Sequence, residues 1–160
     1  MPFGLRFPGL VLTSLALLCL HPGAAAGPST QVEELPALWR SVDAVVHLQI
    51  QTRLGARSGS GETNAAFQEY EAKVFEVFRR YFAGPKRTLT LLETATGSDP
   101  VCKPGEEFVA FLRWDESERA FQSVVMVPVR DGQVKSPRIQ GIESGMKLQA
   151  FLAQLRAMME

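Results

Sequence analysis

Two side chains of this sequence, Cys102 and His47, could together perform thiol chemistry. The chain contains two cysteines and two histidines, and the other two of these residues, Cys19 and His21, fall in the apolar leader discussed below. A nucleophilic thiol needs a base such as an imidazole within hydrogen-bond reach. No catalytic motif surrounds Cys102 or His47, and a lone histidine on the polar face of a strand is typical of a surface residue. We therefore expect no catalytic residue, and keep a thiol-dependent enzyme or redox protein as an alternative.

The surroundings of Cys102 leave three interpretations of its thiol open. Lys103 follows it directly, and a neighbouring cation can lower the pKa of a thiol. The thiol is an inert, half-buried group, one half of a disulfide between two chains, or a redox-sensitive or catalytic group. One cysteine and one histidine cannot build a tetrahedral zinc site, so we predict no metal and no cofactor. Acidic residues could still hold a hard cation, although no calcium-loop spacing is present: Asp99, Asp115, Glu116 and Glu118.

Two polar stretches, Arg53 to Asn64 and Ala95 to Lys103, are predicted to be loops that contact a ligand. Loops carry binding residues more often than the strands that support them, and the ligand-binding residues that we predict are Arg57, Cys102 and Lys103. The first loop is rich in Gly and Ser, as phosphate-binding loops are. A P-loop requires Gly-Lys-Ser/Thr where this chain has Ser-Gly-Glu, so we expect a flexible hairpin loop instead.

The first residues are typical of a secretory signal peptide. Arg6 gives a basic start, an apolar core runs from Leu10 to Leu20, and a run of alanines up to Ala26 supplies a small-residue cleavage site. We predict a signal peptide at 1–26, cleavage near Ala26, and an exported protein that is periplasmic or secreted. Lipid attachment at Cys19 would require a small residue before the cysteine, and this chain has Leu18 there, so we do not favour a lipoprotein. No later apolar run reaches the ~20 residues of a membrane helix, so we predict no membrane span.

The net charge disfavours partners that require a strong electric field. The chain has 17 basic and 17 acidic residues, and loss of Arg6 with the leader leaves a charge near −1. Basic residues that interleave with aromatic ones between Phe78 and Arg87 have the composition of a single-strand nucleic-acid platform. Export and the slightly acidic charge favour a solvated sheet edge there. We predict no nucleic acid, and a protein or envelope component as the partner.

Alternating apolar residues predict the strands that must position these groups. The clearest period-two pattern is Val42 to Thr52, and the most apolar segment, Gly105 to Leu112, is predicted to be the central strand. Further strands are predicted at Arg87 to Thr94 and Ala120 to Val129. Asp131-Gly132 is a two-residue hairpin signal.

The segment Phe67 to Phe82 has two possible structures. Its aromatic residues and four-apart charge pairs fit a helix. The same residues alternate as a strand if one extra residue forms a bulge near Val74-Phe75. We favour the bulged strand and keep the helix as the alternative.

Two helices are predicted at the ends of the domain. Pro36 in a first-turn position predicts a short helix over Leu35 to Ser41. A C-terminal amphipathic helix is predicted at 145–159, with Ser144 as its cap and an apolar face that faces the sheet. That face comprises Leu148, Phe151, Leu152, Leu155 and Met159.

The order of these segments resembles that of small exported proteins related to the netrin-like, tissue-inhibitor-of-metalloproteinases superfamily, including bacterial ones. The resemblance rests on Ser41 to Val46, Tyr70 to Phe78 and Cys102 to Leu112. It implies an OB-type β-barrel with terminal helices. The inhibitors chelate a proteinase zinc through an N-terminal cysteine and carry several disulfides, whereas the predicted mature start near Gly27 has no cysteine. The resemblance therefore implies the fold and not the inhibitory mechanism.

These observations predict one all-β to α+β domain at 27–160, a five- or six-stranded OB-like β-barrel with a C-terminal amphipathic helix. The predicted function is an exported, non-enzymatic binding or interaction module whose ligand the sequence does not name. The alternatives are a thiol-dependent enzyme or redox protein that uses Cys102 with His47, and a structural subunit of an envelope assembly. A Cys102-linked dimer is one possible form of that assembly.

Overall fold

The structure is a computed structural model that describes residues 32–59, 66–79, 88–94 and 102–160. Several predictions fall outside these residues: the signal peptide with Cys19 and the cleavage site near Ala26, the segments 60–65, 80–87 and 95–101, and with the last of these Asp99. In the ranges that the structure does describe, neither helix has the length and apolar content needed to cross a membrane.

The described part of the chain forms two helices and seven strands. Most strands coincide with the predicted ones to within three residues at each end. In chain order the elements are α1 Leu35–Ser41, β1 Ala44–Ser58, β2 Ala66–Arg79, β3 Thr88–Thr94, β4 Glu107–Asp115, β5 Ala120–Arg130, β6 Gln133–Val134, β7 Met146–Lys147 and α2 Leu148–Ala157.

The first five strands close into a barrel. They are hydrogen-bonded in the order β3-β2-β1-β4-β5, and a short parallel pairing of β3 with β5 joins the two ends. That pairing places Leu91 opposite Phe121 and Leu92 opposite Gln122. The short strands β6 and β7 extend the sheet beyond β5. The prediction of a five- or six-stranded OB-like barrel with a C-terminal helix is confirmed, with five strands in the barrel.

The sheet is buried on both faces along β1, β4 and β5. Because side chains alternate along a strand, even-numbered residues of β1 such as Val46 fill the barrel and odd-numbered ones such as Val45 face outwards. The interior cluster comprises Ala44, Val46, Leu48, Ile50, Tyr70, Ala72, Leu89, Leu91, Cys102, Phe108, Ala110, Leu112 and Phe121. The outer cluster, covered by α1, α2 and the 135–145 connector, comprises Leu38, Val42, Val45, Phe78, Val109, Phe111, Val125, Val127, Val134, Ile139, Ile142, Leu148, Phe151, Leu152 and Leu155.

Strand β2 carries the predicted bulge. Glu76 lies opposite His47 and Val74 lies opposite Leu48, so Phe75 is the extra residue. Antiparallel partners on both sides, β1 and β3, fix this segment as a strand. The prediction of a bulged strand is confirmed for 66–79.

The prediction that a loop begins at Arg53 is wrong. Strand β1 continues to Ser58 and pairs with the first residues of β2, with register shifts between Ile50 and Thr52 and between Arg53 and Gly55. Gly55 has a φ of 145°, which glycine adopts without strain. Residues 51–54 are all exposed, because β4 pairs with β1 only as far as Gln49. Its polar composition therefore reflects a solvated strand.

Strand pairing also corrects the predicted start of the C-terminal helix. Met146 and Lys147 pair with β6, so α2 begins at Leu148 with Lys147 at the N-cap position, and Ser144 does not cap it. The helix ends at Ala157, and Met159, beyond its end, is 55% exposed. The other four predicted apolar residues of the helix are buried.

The predicted Asp131-Gly132 hairpin is confirmed. Both turn residues have positive φ, 51° for Asp131 and 70° for Gly132, as a type I′ turn requires. Leu148 donates its backbone N–H to the Gly132 carbonyl at 2.9 Å, so the turn also anchors the start of α2.

Candidate functional site

A cavity of about 820 Å³ opens where β5 has a strand on one side only. β3 pairs with Phe121 and Gln122, and β6 pairs with Val129 and Arg130. Among the described strands, the residues between them, Ser123 to Pro128, pair only with β4. We call this opening the seam cavity, and the lining residues discussed below are Glu93, Cys102, Phe108, Met126, Arg130 and Arg138.

Three features of β5 keep this edge open. A register shift opposite Phe111 and Leu112 leaves Val124 as an extra, bulged residue. Pro128 has no backbone N–H to offer a further strand. The Arg138 guanidinium donates to the Val124 carbonyl at 3.1 Å, which occupies an acceptor that a further strand would use. A bulge, a proline and a capped carbonyl are devices that protect sheet edges from pairing.

Cys102 lies at the inner side of the seam cavity, where its thiol is held by a carboxyl group. Its Sγ donates to Glu93 Oε2 at 3.0 Å, and its backbone N–H donates to Tyr70 Oη at 3.4 Å. The residue is 1% exposed. Burial raises the pKa of the Cys102 thiol, and the hydrogen bond to Glu93 and the negative charges of Glu93 and Glu106 raise it further.

The expectation that Lys103 lowers the pKa of Cys102 is wrong. Lys103 is exposed, so water screens its charge, while the thiol lies in the barrel interior beside a carboxyl group. Desolvation therefore dominates over the neighbouring cation. A thiol with a raised pKa carries little thiolate at neutral pH and is a poor nucleophile.

Burial also raises the pKa of Glu93. The hydrogen bond from Cys102 lowers that pKa and the charge of Glu106 raises it, but desolvation is the largest cause. Burial likewise raises the pKa of Tyr70, whose hydroxyl contacts the same backbone. The inner side of the seam cavity therefore favours uncharged, hydrogen-bonding groups, which suit ligand binding better than nucleophilic attack.

The raised pKa of Glu93 leads us to predict how the stability of the fold changes with pH. A carboxyl whose folded-state pKa lies above its unfolded value stabilises the fold at low pH, and this contribution is lost as pH rises through the folded-state pKa. We expect Glu93→Gln, which keeps an acceptor for the Cys102 thiol, to be about as stable as the native chain near pH 4, where Glu93 holds its proton, and to become the more stable of the two as pH rises and the buried native carboxyl ionises. Urea unfolding across a pH series measures the difference in free energy of unfolding.

The control for that experiment is Glu71→Gln. Glu71 is exposed on β2, so its substitution removes one negative charge without touching the seam cavity, and it corrects for the change in net charge. If Glu93→Gln and Glu71→Gln differ from the native chain by the same free energy at every pH, the role of burial at Glu93 is contradicted.

His47 lies on the opposite side of the sheet from Cys102. Val46 and Leu48 flank it and point into the barrel with Cys102, so the imidazole projects outwards. There its Nε2 lies 2.5 Å from Glu107 Oε1, and its ring lies 5.0 Å from the Phe75 ring. The structure does not bring the thiol and the imidazole together, and each has its own carboxylate partner.

Arg57 lines a different cavity, of about 410 Å³, at the other end of the β3–β5 pairing. Its guanidinium donates to the Glu118 carbonyl at 3.0 Å and lies 3.2 Å from Glu118 Oε2 and 3.9 Å from Glu69 Oε1. Since the side chain of Glu118 is 2% exposed, Arg57 compensates a buried carboxylate. The positive charge of Arg57 therefore stabilises the buried Glu118 carboxylate within the chain.

The three predicted ligand residues do not form one site. Cys102 lines the seam cavity, Arg57 lines the second cavity, and the exposed Lys103 lines neither. Sequence reasoning missed Glu93 and Arg138. Glu93 gave one usable signal, a carboxylate in a strand whose neighbouring positions are apolar. Arg138 gave no such signal, because its contacts with Val124 and Glu33 join distant parts of the chain.

Of the acidic residues considered for a hard cation, Asp115 and Glu118 have structural partners within the described residues. The Asp115 carboxylate accepts hydrogen bonds from the Ser117 hydroxyl, the Glu118 and Ser117 N–H groups and the Gln122 side chain. The bonds from Ser117 and Glu118 hold the pKa of Asp115 below its ordinary value. In the described ranges, no three or more His, Cys, Asp or Glu side chains are grouped to hold a metal ion. Comparison with protein-family models, with curated proteins and with solved structures found no match to this chain.

Proposed function

We propose that this chain is an exported, non-enzymatic binding module that takes its ligand into the seam cavity. The observation that carries the proposal is the opening itself, where, among the described strands, the residues Ser123 to Pro128 of β5 pair with β4 alone. Its volume of about 820 Å³ lies within the range of ligand pockets, roughly 300 to 1,000 Å³. Apolar side chains such as Phe108 and Met126 alternate there with polar ones such as Glu93 and Arg130, which is the composition that ligand sites have.

The surroundings of Cys102 and His47 support binding over thiol catalysis. A thiol enzyme needs an accessible thiolate and a base beside it. Here the thiol is 1% exposed and bonded to Glu93, and the imidazole is bonded to Glu107 on the outer face. A thiol-dependent enzyme would require the sheet to rearrange before its two groups could meet.

Export and the partner class rest on the sequence. The signal-peptide pattern up to Ala26 and the resemblance to the netrin-like superfamily support a module that acts outside the cytoplasm on a protein or envelope component. The OB-like barrel agrees with that resemblance in architecture. The inhibitory mechanism is not part of the proposal, since the predicted mature start near Gly27 has no cysteine.

Amide nuclear magnetic resonance spectra of the labelled protein test the proposal with a library of small organic fragments and tripeptides. We expect binders to shift the amides of Thr94, Ser123 and Met126, which belong to residues lining the seam cavity. Thr88 and Thr90, which line the second cavity, serve as the comparison. Shifts confined to the second cavity, or no shift in the seam cavity for any probe, would overturn the proposal.

Alkylation of Cys102 tests the alternative functions. In a Cys19→Ser variant, which leaves Cys102 as the one thiol of the chain, we expect iodoacetamide to react with the folded protein at least about tenfold more slowly than with the urea-unfolded protein, because the thiolate is the reactive form and the folded state disfavours it. We also expect a monomer band on a non-reducing gel, since a buried thiol cannot reach a second chain. Rapid alkylation of the folded state would favour the thiol enzyme, and a dimer band abolished by reductant would favour the disulfide-linked assembly.

A further inference from the structure

The seam cavity continues into a third cavity along β5. This third cavity, of about 500 Å³, lies around the Asp131 hairpin turn and shares Pro128 and Arg130 with the seam cavity. Lys135 and Pro137 complete its far side. The two cavities therefore form one elongated opening beside β5, which we call the β5 groove.

The acidic side chains of the seam cavity are already partnered within the chain. Glu93 accepts from the Cys102 thiol, Glu106 accepts from the Lys103 N–H at 2.8 Å, and Glu107 lies 2.5 Å from the imidazole of His47. A thiol or a backbone N–H occupies an acceptor oxygen without neutralising the carboxylate, so these bonds reduce the acceptor capacity of Glu93 and Glu106 and not their charge. Neither residue lines the third cavity. In the third cavity the remaining acid is Asp131, which occupies the hairpin turn.

The basic side chains of the β5 groove are in the opposite situation. The side chains of Arg130 and Lys135 are exposed and make no hydrogen bond or ion pair with any described residue. Arg138 uses one nitrogen on the Val124 carbonyl and places another 3.7 Å from Glu33, while its buried Nε has no hydrogen-bond partner among the described residues. Around the third cavity, Arg130 and Lys135 face one acid, Asp131, so the net charge that this part of the groove presents to a ligand is positive.

The shape of the groove and its apolar lining favour a polypeptide over a compact anion. Apolar and cationic groups alternate along it, from Met126 and Pro128 through Arg130 to Lys135 and Pro137. A chain with apolar and acidic side chains in close succession complements this order. Strand addition to β5 is disfavoured, because Pro128 lacks a donor and Arg138 occupies the Val124 carbonyl. Recognition must therefore use side chains.

We infer that the β5 groove binds an extended, acidic polypeptide segment whose carboxylates contact Arg130 and Lys135 and whose apolar side chains lie against Met126 and Pro128. The inference rests on the proposed binding function and names its ligand class. Complementary charges at such a site fix orientation and accelerate encounter, and their effect falls as salt screens them.

Fluorescence anisotropy with short labelled peptides of repeating Glu-Pro-Val tests this inference on the full chain. The proline keeps the peptides from aggregating as strands. Peptides in which Gln or Lys replaces every Glu are the matched probes. We expect the Glu peptide to bind about tenfold more tightly than the Gln peptide at low salt, and the difference to shrink as salt is added.

The Arg130→Ala/Lys135→Ala double variant is expected to weaken binding of the Glu peptide about tenfold. Its control is Lys73→Ala/Arg113→Ala, which removes the same charge from exposed positions on β2 and β4 and is expected to bind as the native chain does. Three results would each overturn the inference. The Gln or Lys peptide could bind as tightly as the Glu peptide, dextran sulfate at matched charge could displace the Glu peptide, or the double variant could bind the Glu peptide as tightly as the native chain does. If peptides fail while fragments still shift seam-cavity amides, this inference fails and the proposed function stands; if neither binds there, both fail.

Discussion

Replacing Phe151 with alanine is expected to lower the free energy of unfolding by about 3 to 5 kcal/mol. Phe151 is 0% exposed and lies in the outer cluster, where the apolar face of α2 covers β4 and β5. Truncation removes most of a buried aromatic side chain and leaves a cavity between helix and sheet, and both terms destabilise the fold. Equilibrium urea unfolding followed by circular dichroism measures the loss.

Phe75→Ala is the matched control for Phe151→Ala. It removes the same atoms from a side chain that is 46% exposed on the β2 bulge, so we expect it to cost no more than about 1 kcal/mol. If the two substitutions have equal costs, α2 is not packed on the sheet as the structure has it.

The polar contact between α2 and the barrel is a weaker link than the apolar one. Arg156 donates two hydrogen bonds to Glu76, each at 2.7 Å. The side chains of Arg156 and Glu76 are 46% and 34% exposed. Exposed ion pairs contribute little to stability, because solvent screens the charges and the two side chains lose conformational entropy when they pair. The burial of Phe151, Leu152 and Leu155 therefore decides whether α2 stays docked.

Local sequence patterns predict those parts of the fold that local interactions determine. The alternation in β1, the turn residues Asp131 and Gly132 and the bulge at Phe75 each depend on residues adjacent in the chain, and each is found where the pattern placed it. The end of β1 has the sequence pattern of a loop because residues 51–54 are exposed on both faces of the strand, and such a strand loses its alternation. The predicted start of α2 is wrong because Met146 pairs with β6, a contact that helical periodicity does not reveal.

The candidate site is less predictable because its parts come from distant segments. Alternation already assigns His47 to the face opposite Val46 and Leu48, and this is where it lies. The side of the sheet on which Cys102 lies depends on how the chain returns after β3, and no local pattern specifies that. The open edge of β5 depends likewise on Arg138, which reaches Val124 from the connector after β6.

Leu91→Ala is expected to cost about 2 to 5 kcal/mol and to act first on the closure of the barrel. Leu91 is 0% exposed in the interior cluster and lies opposite Phe121 in the parallel pairing of β3 with β5. That pairing joins only Leu91 and Leu92 to β5, whereas β1 and β2 pair along most of their length. The apolar contact at Leu91 therefore has few backbone bonds to assist it, and its loss should loosen the seam before the rest of the sheet.

Hydrogen exchange distinguishes this local loosening from uniform destabilisation. In Leu91→Ala we expect the Phe121 and Gln122 amides to lose more protection than the Val46 amide, because local opening needs less free energy than global unfolding. Thr90→Ala, an exposed change on the same strand, should alter stability by no more than about 0.5 kcal/mol and leave the exchange pattern unchanged. Equal loss of protection at Phe121 and Val46 would mean that the barrel opens only as a whole. The seam cavity would then be as rigid as the β1–β4 pairing, and a ligand would have to enter it without any parting of β3 from β5.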